Sequence, residues 1–157
     1  MTLPKTMTAM VTMGHGDIDQ MVLHRDWPRP EPAADEVLIR VGACGLNNTD
    51  VNTRSGWYSK TVTDVTTGGG FDVVGDDDPS WGGAPITFPR IQGADVCGEI
   101  VAVGAHVNAG RIGERVITDG WLRDRDAPND MSKAGYFGSE RDGGFAQYTA
   151  TPARNAL

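Results

Sequence analysis

Glycine and proline break this chain throughout, 21 of the one and 9 of the other in 157 residues. Each interrupts helical hydrogen bonding or adds backbone freedom, so long helices become improbable and short strands joined by tight turns become the default. The length is that of one domain, residues 1–157, large enough for a hydrophobic core without disulfide help. Apolar residues at 39% and charged residues at 22% are ordinary for a folded globular protein.

Local patterning fills in that picture. "EVLIRVGA" (36–43) alternates, with Val37, Ile39 and Val41 on one face and Leu38 and Arg40 on the other, as a strand does. "DVCGEIVAVGAHV" (95–107) reads as a second strand, with a bulge or a close backbone approach at Gly98. "GERVITDGW" (113–121) and "GGFAQYTATP" (143–152) are two more short apolar runs. "MTAMVTMGHG" and "QMVLHRDW" flank "GHGDID" as an opening hairpin, and "WPRPEPAADE" follows as an extended surface connector. From 59 to 88 threonine, glycine and aspartate dominate, which predicts a long surface excursion. The fold class expected is mainly β with short helices, a barrel or a sandwich.

Several functions are excluded or disfavoured. A net charge of −7 argues against nucleic-acid binding, which needs a basic face to displace counterions. Within that excess, "GDDDPSW" (75–81) reads as a solvated loop, with an acid-lined metal site as the alternative. Two cysteines, Cys44 and Cys97, form no CxxC pair and cannot build a four-thiolate zinc site or a disulfide framework. No apolar run approaches the roughly 18 residues of a membrane span, and "MTLPKTMTAMVTMGHG" has no continuous secretory h-region. A cytoplasmic location, with no membrane partner, is the expectation. No G-x-G-x-x-G follows a strand and opens a helix, so no phosphate cradle is encoded.

"NNTDVNTRSG" (47–56) reads as a capped helical turn, with Asn48 or Thr49 as the cap, Asp50 in the first turn and Gly56 at the end. Asp50 and Arg54, four apart with acid first, are placed to pair on its surface.

The longer run "GACGLNNTDVNTRSGWY" is followed in order by "PRIQGADVCGEIVAVGAHV", "IGERVI" and "GGFAQYTATPARN". Together these resemble the N-terminal, GroES-like domain of the medium-chain dehydrogenase/reductase superfamily. The resemblance implies a partly open β-barrel with short helices and a Rossmann domain absent from the chain. Zinc alcohol dehydrogenases of that family carry a cysteine ligand in the first loop and a "GHE" in the second. Here those positions are Asn47 and Gly93-Ala94-Asp95. An amide is a poor zinc ligand and a methyl group is none, so no metal is expected. His15, His24 and His106 are isolated in sequence and offer no substitute cluster.

The loop instead resembles the zinc-free quinone oxidoreductase branch, matching at Asn47, Asp50, Arg54, Gly56 and Tyr58. That likeness implies Asn47 and Tyr58 as catalytic residues, the amide hydrogen-bonding cofactor or substrate and the phenol orienting a carbonyl or quinone oxygen. It implies Asn47, Asn48 and Asp50 as the cofactor-facing set, with Arg54, Gly93 and Asp95 as support (Asp50 also helps hold the loop). The cofactor would be NADPH or NADH in a full-length parent, bound tightly only with the Rossmann half. Alone, this domain would be inactive, and it could self-associate through exposed strand edges. Two other readings stand beside it, a zinc-type relative with degenerate ligands and a stand-alone GroES-like binding or assembly module.

Overall fold

A computed structural model describes residues 2–57 and 86–157. Two strands open the chain, β1 (Thr6–Thr12) and β2 (Met21–Pro28), followed by the long β3 (Glu36–Gly45) and the only α-helix among the described residues, α1 (Asn48–Arg54). Then come β4 (Asp95–Val103), the short β5 (Arg115–Ile117), β6 (Trp121–Leu122) and β7 (Gly135–Tyr136), and finally β8 (Tyr148–Pro152). Four 3-10 turns, at Ile18–Gln20, Ala109–Arg111, Met131–Lys133 and Ala153–Asn155, join or end these pieces. Short strands and one seven-residue helix are what the glycine and proline punctuation predicts.

The strands β5-β4-β3-β8 form one antiparallel sheet in that order. The expected hairpin β1-β2 forms with Thr12 opposite Met21. It joins the main sheet through residues 145–147. Met10 N–H donates to Phe145 O at 2.8 Å, Gln147 N–H to Thr8 O at 3.0 Å, and Val41 N–H to Gln147 O at 2.9 Å. The sheet thus curls into a partly open barrel, with no closed ring of strands among the described residues. No helix among them is long and apolar enough to cross a membrane.

One side of the curled sheet buries Val37, Ile39, Val96, Ile100, Val116, Phe137 and Ala156 as a single cluster. A second cluster, Met7, Ala9, Val11 and Ile91, lies under the hairpin. The alternation expected for β3 holds only in part: Leu38, on the opposite face from Val37 and Ile39, is fully buried too. β3 is flanked on both edges, by β4 and β8, and its first four residues are covered on both faces. A strand in that central position carries apolar residues in a run rather than in alternation.

Gly98 is a close backbone approach, because a Cβ there would lie 2.3 Å from the Arg40 carbonyl oxygen. The irregularities in the ladder fall around it: Val41 and Ala43 oppose the adjacent pair Gly98 and Cys97, and Leu38 and Ile39 oppose Ala102 and Ile100. The extra residues are therefore Gly42 on β3 and Val101 on β4. Of the expected excursion at 59–88, only 86–88 lie within the described residues, and Trp81 and the aspartates of "GDDDPSW" lie outside them.

Candidate functional site

Where β3 ends, Gly45 to Asn47 carry the chain into α1. Asn47 holds an extended conformation (φ −132°, ψ 159°) and is the N-cap, just ahead of the expected Asn48 or Thr49. Its backbone N–H donates to Asp50 Oδ2 at 2.9 Å, and Asp50 N–H donates back to Asn47 O at 3.0 Å. Having the acid at the third helical position decides the cap, since only from there does a carboxylate reach back to the capping residue's N–H. At the other end, Trp57 N–H donates to Asn52 O at 2.9 Å and Gly56 N–H to Thr53 O at 3.3 Å. That is a Schellman closure, which needs the positive φ of Gly56, here +70°.

A seven-residue helix is too short to persist alone, so its position comes from tertiary ties. The second oxygen of Asp50, Oδ1, accepts from Gly93 N–H at 3.1 Å. Gln92 Nε2 donates to Asp50 O at 2.9 Å, and Gln92 Oε1 accepts from the Thr12 hydroxyl at 2.8 Å. Gln92, 1% exposed, therefore ties α1 to β1 through the interior. Gly93 has φ +96°, and a Cβ on it would sit 2.6 Å from both Cys44 Sγ and the Phe145 ring. Past the buried Ala94, Asp95 opens β4 as the register partner of Gly45. Its Oδ2 accepts from Asn47 Nδ2 at 3.2 Å. The Thr118 hydroxyl donates to Ala94 O at 2.9 Å while accepting from Val96 N–H at 3.2 Å, which fixes the segment behind Asp95.

Asn47, Asp50, Gly93 and Asp95 thus converge at one end of the β3-β4 pair. Asn48 is the first helical residue and is exposed. Arg54 is at the far end of α1, and the surface pair with Asp50 does not form. Asp50 spends both carboxylate oxygens on backbone N–H groups, whereas the buried Arg54 guanidinium donates to Gly16 O at 2.5 Å and lies 3.9 Å from Asp17. Tyr58 lies outside the described residues. Gln92, Thr12 and Thr118 carry no motif of their own. Their only mark in the sequence is a polar side chain inside an otherwise apolar strand context, which reads as ordinary turn or surface polarity.

The electrostatics of this end are acidic and partly dry. Burial raises the carboxyl pKa of Asp50, with Asp95 adding to the shift, against the lowering effect of the two N–H groups it accepts. Burial, then Asp50, Asp95 and Cys97, push the Cys44 thiol up to about 12. Zinc at the family position does not fit this donor set. The position of the family's thiolate holds an amide already turned onto Asp95, and the position of its histidine holds the buried methyl of Ala94.

Exposed apolar side chains are spread along this loop and helix from end to end. Leu46 is 85% exposed, Val51 53% and Trp57 44%. Among the described residues, grooves lie elsewhere, one of about 660 Å³ bordered by Arg40, Cys97, Glu99 and Arg115, another of about 460 Å³ bordered by Trp27, Arg90 and Tyr148. Asn47 lines neither.

A family profile described as the alcohol dehydrogenase GroES-like domain matches residues 33–157. The quinone oxidoreductase of Sus scrofa is 32% identical over 73% of this chain and 27% of its own length. The chloroplastic NADPH-dependent alkenal/one oxidoreductase of Arabidopsis thaliana is 28% identical over 95% of this chain and 30% of its own. A crystal structure of an alcohol dehydrogenase candidate from Sinorhizobium meliloti 1021 superposes with a TM-score of 0.80 at 47% identity, covering 99% of this chain and 40% of that one. The chain spans 27% to 40% of the length of the curated relatives it matches.

Proposed function

The chain belongs to the medium-chain dehydrogenase/reductase superfamily as an N-terminal GroES-like domain, and from that premise we propose that it is the catalytic wall of a zinc-independent oxidoreductase using NADPH or NADH. The acceptor class is a quinone, an α,β-unsaturated carbonyl or a related carbonyl or alcohol. The observation that carries this is the Asn47–Asp95 contact, in which an uncharged amide and a carboxylate stand where a metal enzyme of the family has its thiolate and the glutamate of "GHE".

The nicotinamide suits the residues present: an exposed amide able to donate and accept, next in the chain to the exposed side chain of Leu46, matches a planar ring bearing a carboxamide. When bound, that cofactor supplies the hydride. Asn47 holds a carboxamide or a substrate oxygen without titrating, and Asp95 fixes which way the amide faces, because a carboxylate can only accept and so selects Nδ2. Asp50 holds the loop rather than touching ligand, both of its oxygens being committed to backbone N–H groups. The carboxylate of Asp95 beside Asn47 opposes a concentrated negative charge on a reacting oxygen. It favours acceptors that spread that charge over a conjugated system, as quinones and enones do. The names of the pig and Arabidopsis relatives point to the same acceptors.

The reading is tested in the full-length reductase containing this domain. Oxidation of NADPH or NADH with a benzoquinone and a 2-alkenal should persist after exhaustive chelation, with no stoichiometric zinc in the purified protein. Activity abolished by chelation and restored by zinc would return the protein to the metal-dependent branch.

A further inference from the structure

We propose that the turn between β1 and β2 is a clasp that sets the position of α1, and hence of Asn47, with His15 and Gly16 as its positioning residues. His15 Nδ1 lies 3.1 Å from Thr53 O and 3.3 Å from Arg54 O. Carbonyls only accept, so Nδ1 carries the proton and donates to the last turn of the helix. Gly16 N–H donates to Arg54 O at 3.0 Å, and the Arg54 guanidinium donates back to Gly16 O at 2.5 Å. Phe88 meets the His15 ring edge-on, with centroids 4.8 Å apart. These ties converge on the C-terminal turn of a helix too short to hold itself, while Asp50, Gln92 and Gly93 fix the opposite end. A turn more than 30 residues upstream thereby controls the orientation of the site loop. Its importance for turnover rests on the role given to Asn47 above. Its test reads thiols and amides, and so can fail or succeed independently of that role.

Cys44 lies three residues before Asn47 and feels the charge of Asp50, so a displaced α1 changes its surroundings, whereas Cys97 is already exposed and serves as an internal reference. Alkylation of the whole chain by iodoacetamide, read separately at each cysteine, gives the ratio of the two rates. His15→Phe keeps a ring against Phe88 but has no donor, and His15→Asn keeps an N–H donor near the Nδ1 position. In His15→Phe the Cys44 to Cys97 ratio should rise about tenfold, the scale of one lost hydrogen bond, and in His15→Asn it should stay within about twofold of the original chain. An unchanged ratio in His15→Phe, or an equal rise in both variants, overturns the clasp. If His15→Phe does not fold, hydrogen exchange of the unaltered chain decides. The amides of Gly16, Ser55 and Trp57 should open together, and exchange of Gly16 about a hundredfold faster than the other two would overturn the proposal.

Discussion

Asn47 Nδ2 donates to Asp95 Oδ2 at 3.2 Å, across the end of the ladder where Gly45 and Asp95 are register partners. Both side chains are exposed, so water replaces the bond when either is truncated. Asn47→Ala should therefore lower stability by about 1 kcal/mol or less in urea denaturation. With this domain joined to a Rossmann half, and on the role proposed for Asn47, the same change should lower kcat/KM by about tenfold or more, the scale of one lost functional hydrogen bond. A large stability loss with unchanged turnover would contradict the role given to the amide.

Asp50 accepts two backbone N–H groups, from Asn47 and Gly93, and an asparagine amide has only one oxygen to offer them. Asp50→Asn leaves one of these donors without an acceptor and should cost about 1–3 kcal/mol, although it removes a partly buried charge. Chemical denaturation at neutral pH checks the magnitude. Because the carboxyl pKa is raised in the folded protein, the folded state binds the proton more tightly than the unfolded chain. Its contribution to stability is full below the ordinary carboxyl range and falls as pH rises through the raised value. Asp50→Asn should remove that part of the acid-range pH dependence.

Burial, and then the neighbouring carboxylates of Asp50 and Asp95, push the Cys44 thiol up to about 12, so thiolate is scarcer there at neutral pH than at an ordinary cysteine. At pH 8 a soluble alkylating agent should modify Cys97 well before Cys44, as peptide mapping would show. The linkage again runs toward loss of stability with rising pH, here between pH 9 and about 12. Cys44→Ser should flatten the stability profile in that window, and an identical profile in both proteins would refute the shielding of this thiol.

Gly93→Ala places a methyl group 2.6 Å from Cys44 Sγ and the Phe145 ring, on a backbone with φ +96°. Strain and overpacking act together there, so the loss should exceed about 2 kcal/mol in thermal unfolding. Gln92→Leu should cost about 1–3 kcal/mol by leaving the buried Thr12 hydroxyl without its acceptor and removing the tie to Asp50 O, and the amides of α1 should lose protection in hydrogen exchange.

Much of this architecture is legible in one dimension because it rests on local rules. Glycine and proline spacing makes long helices improbable, alternation marks β3, a Val- and Ile-rich run marks β4, two runs flanking a glycine turn mark the opening hairpin, and Asp50 and Gly56 bracket a helical turn whatever surrounds it. Position by position, the resemblance also places Asn47, in the first loop, and Ala94, in the second, where zinc enzymes of the family carry ligands, since identity at a position needs no coordinates.

What the sequence cannot carry is the choice of partner for a polar group that has several in reach. Asp50 and Arg54 look like a helix-surface pair at spacing four, yet the folded chain offers Asp50 the Gly93 N–H and offers Arg54 the Gly16 carbonyl, contacts 43 and 38 residues away. Fixed, partly desolvated backbone groups outcompete a solvent-screened ion pair on a helix surface. The same long-range closure buries Gln92 beneath α1, turns the Asn47 amide onto Asp95 and covers Leu38 on a face that alternation assigns to solvent. Local propensity determines which segments become strand, turn or helix, and only the curling of the sheet determines which of their polar atoms meet.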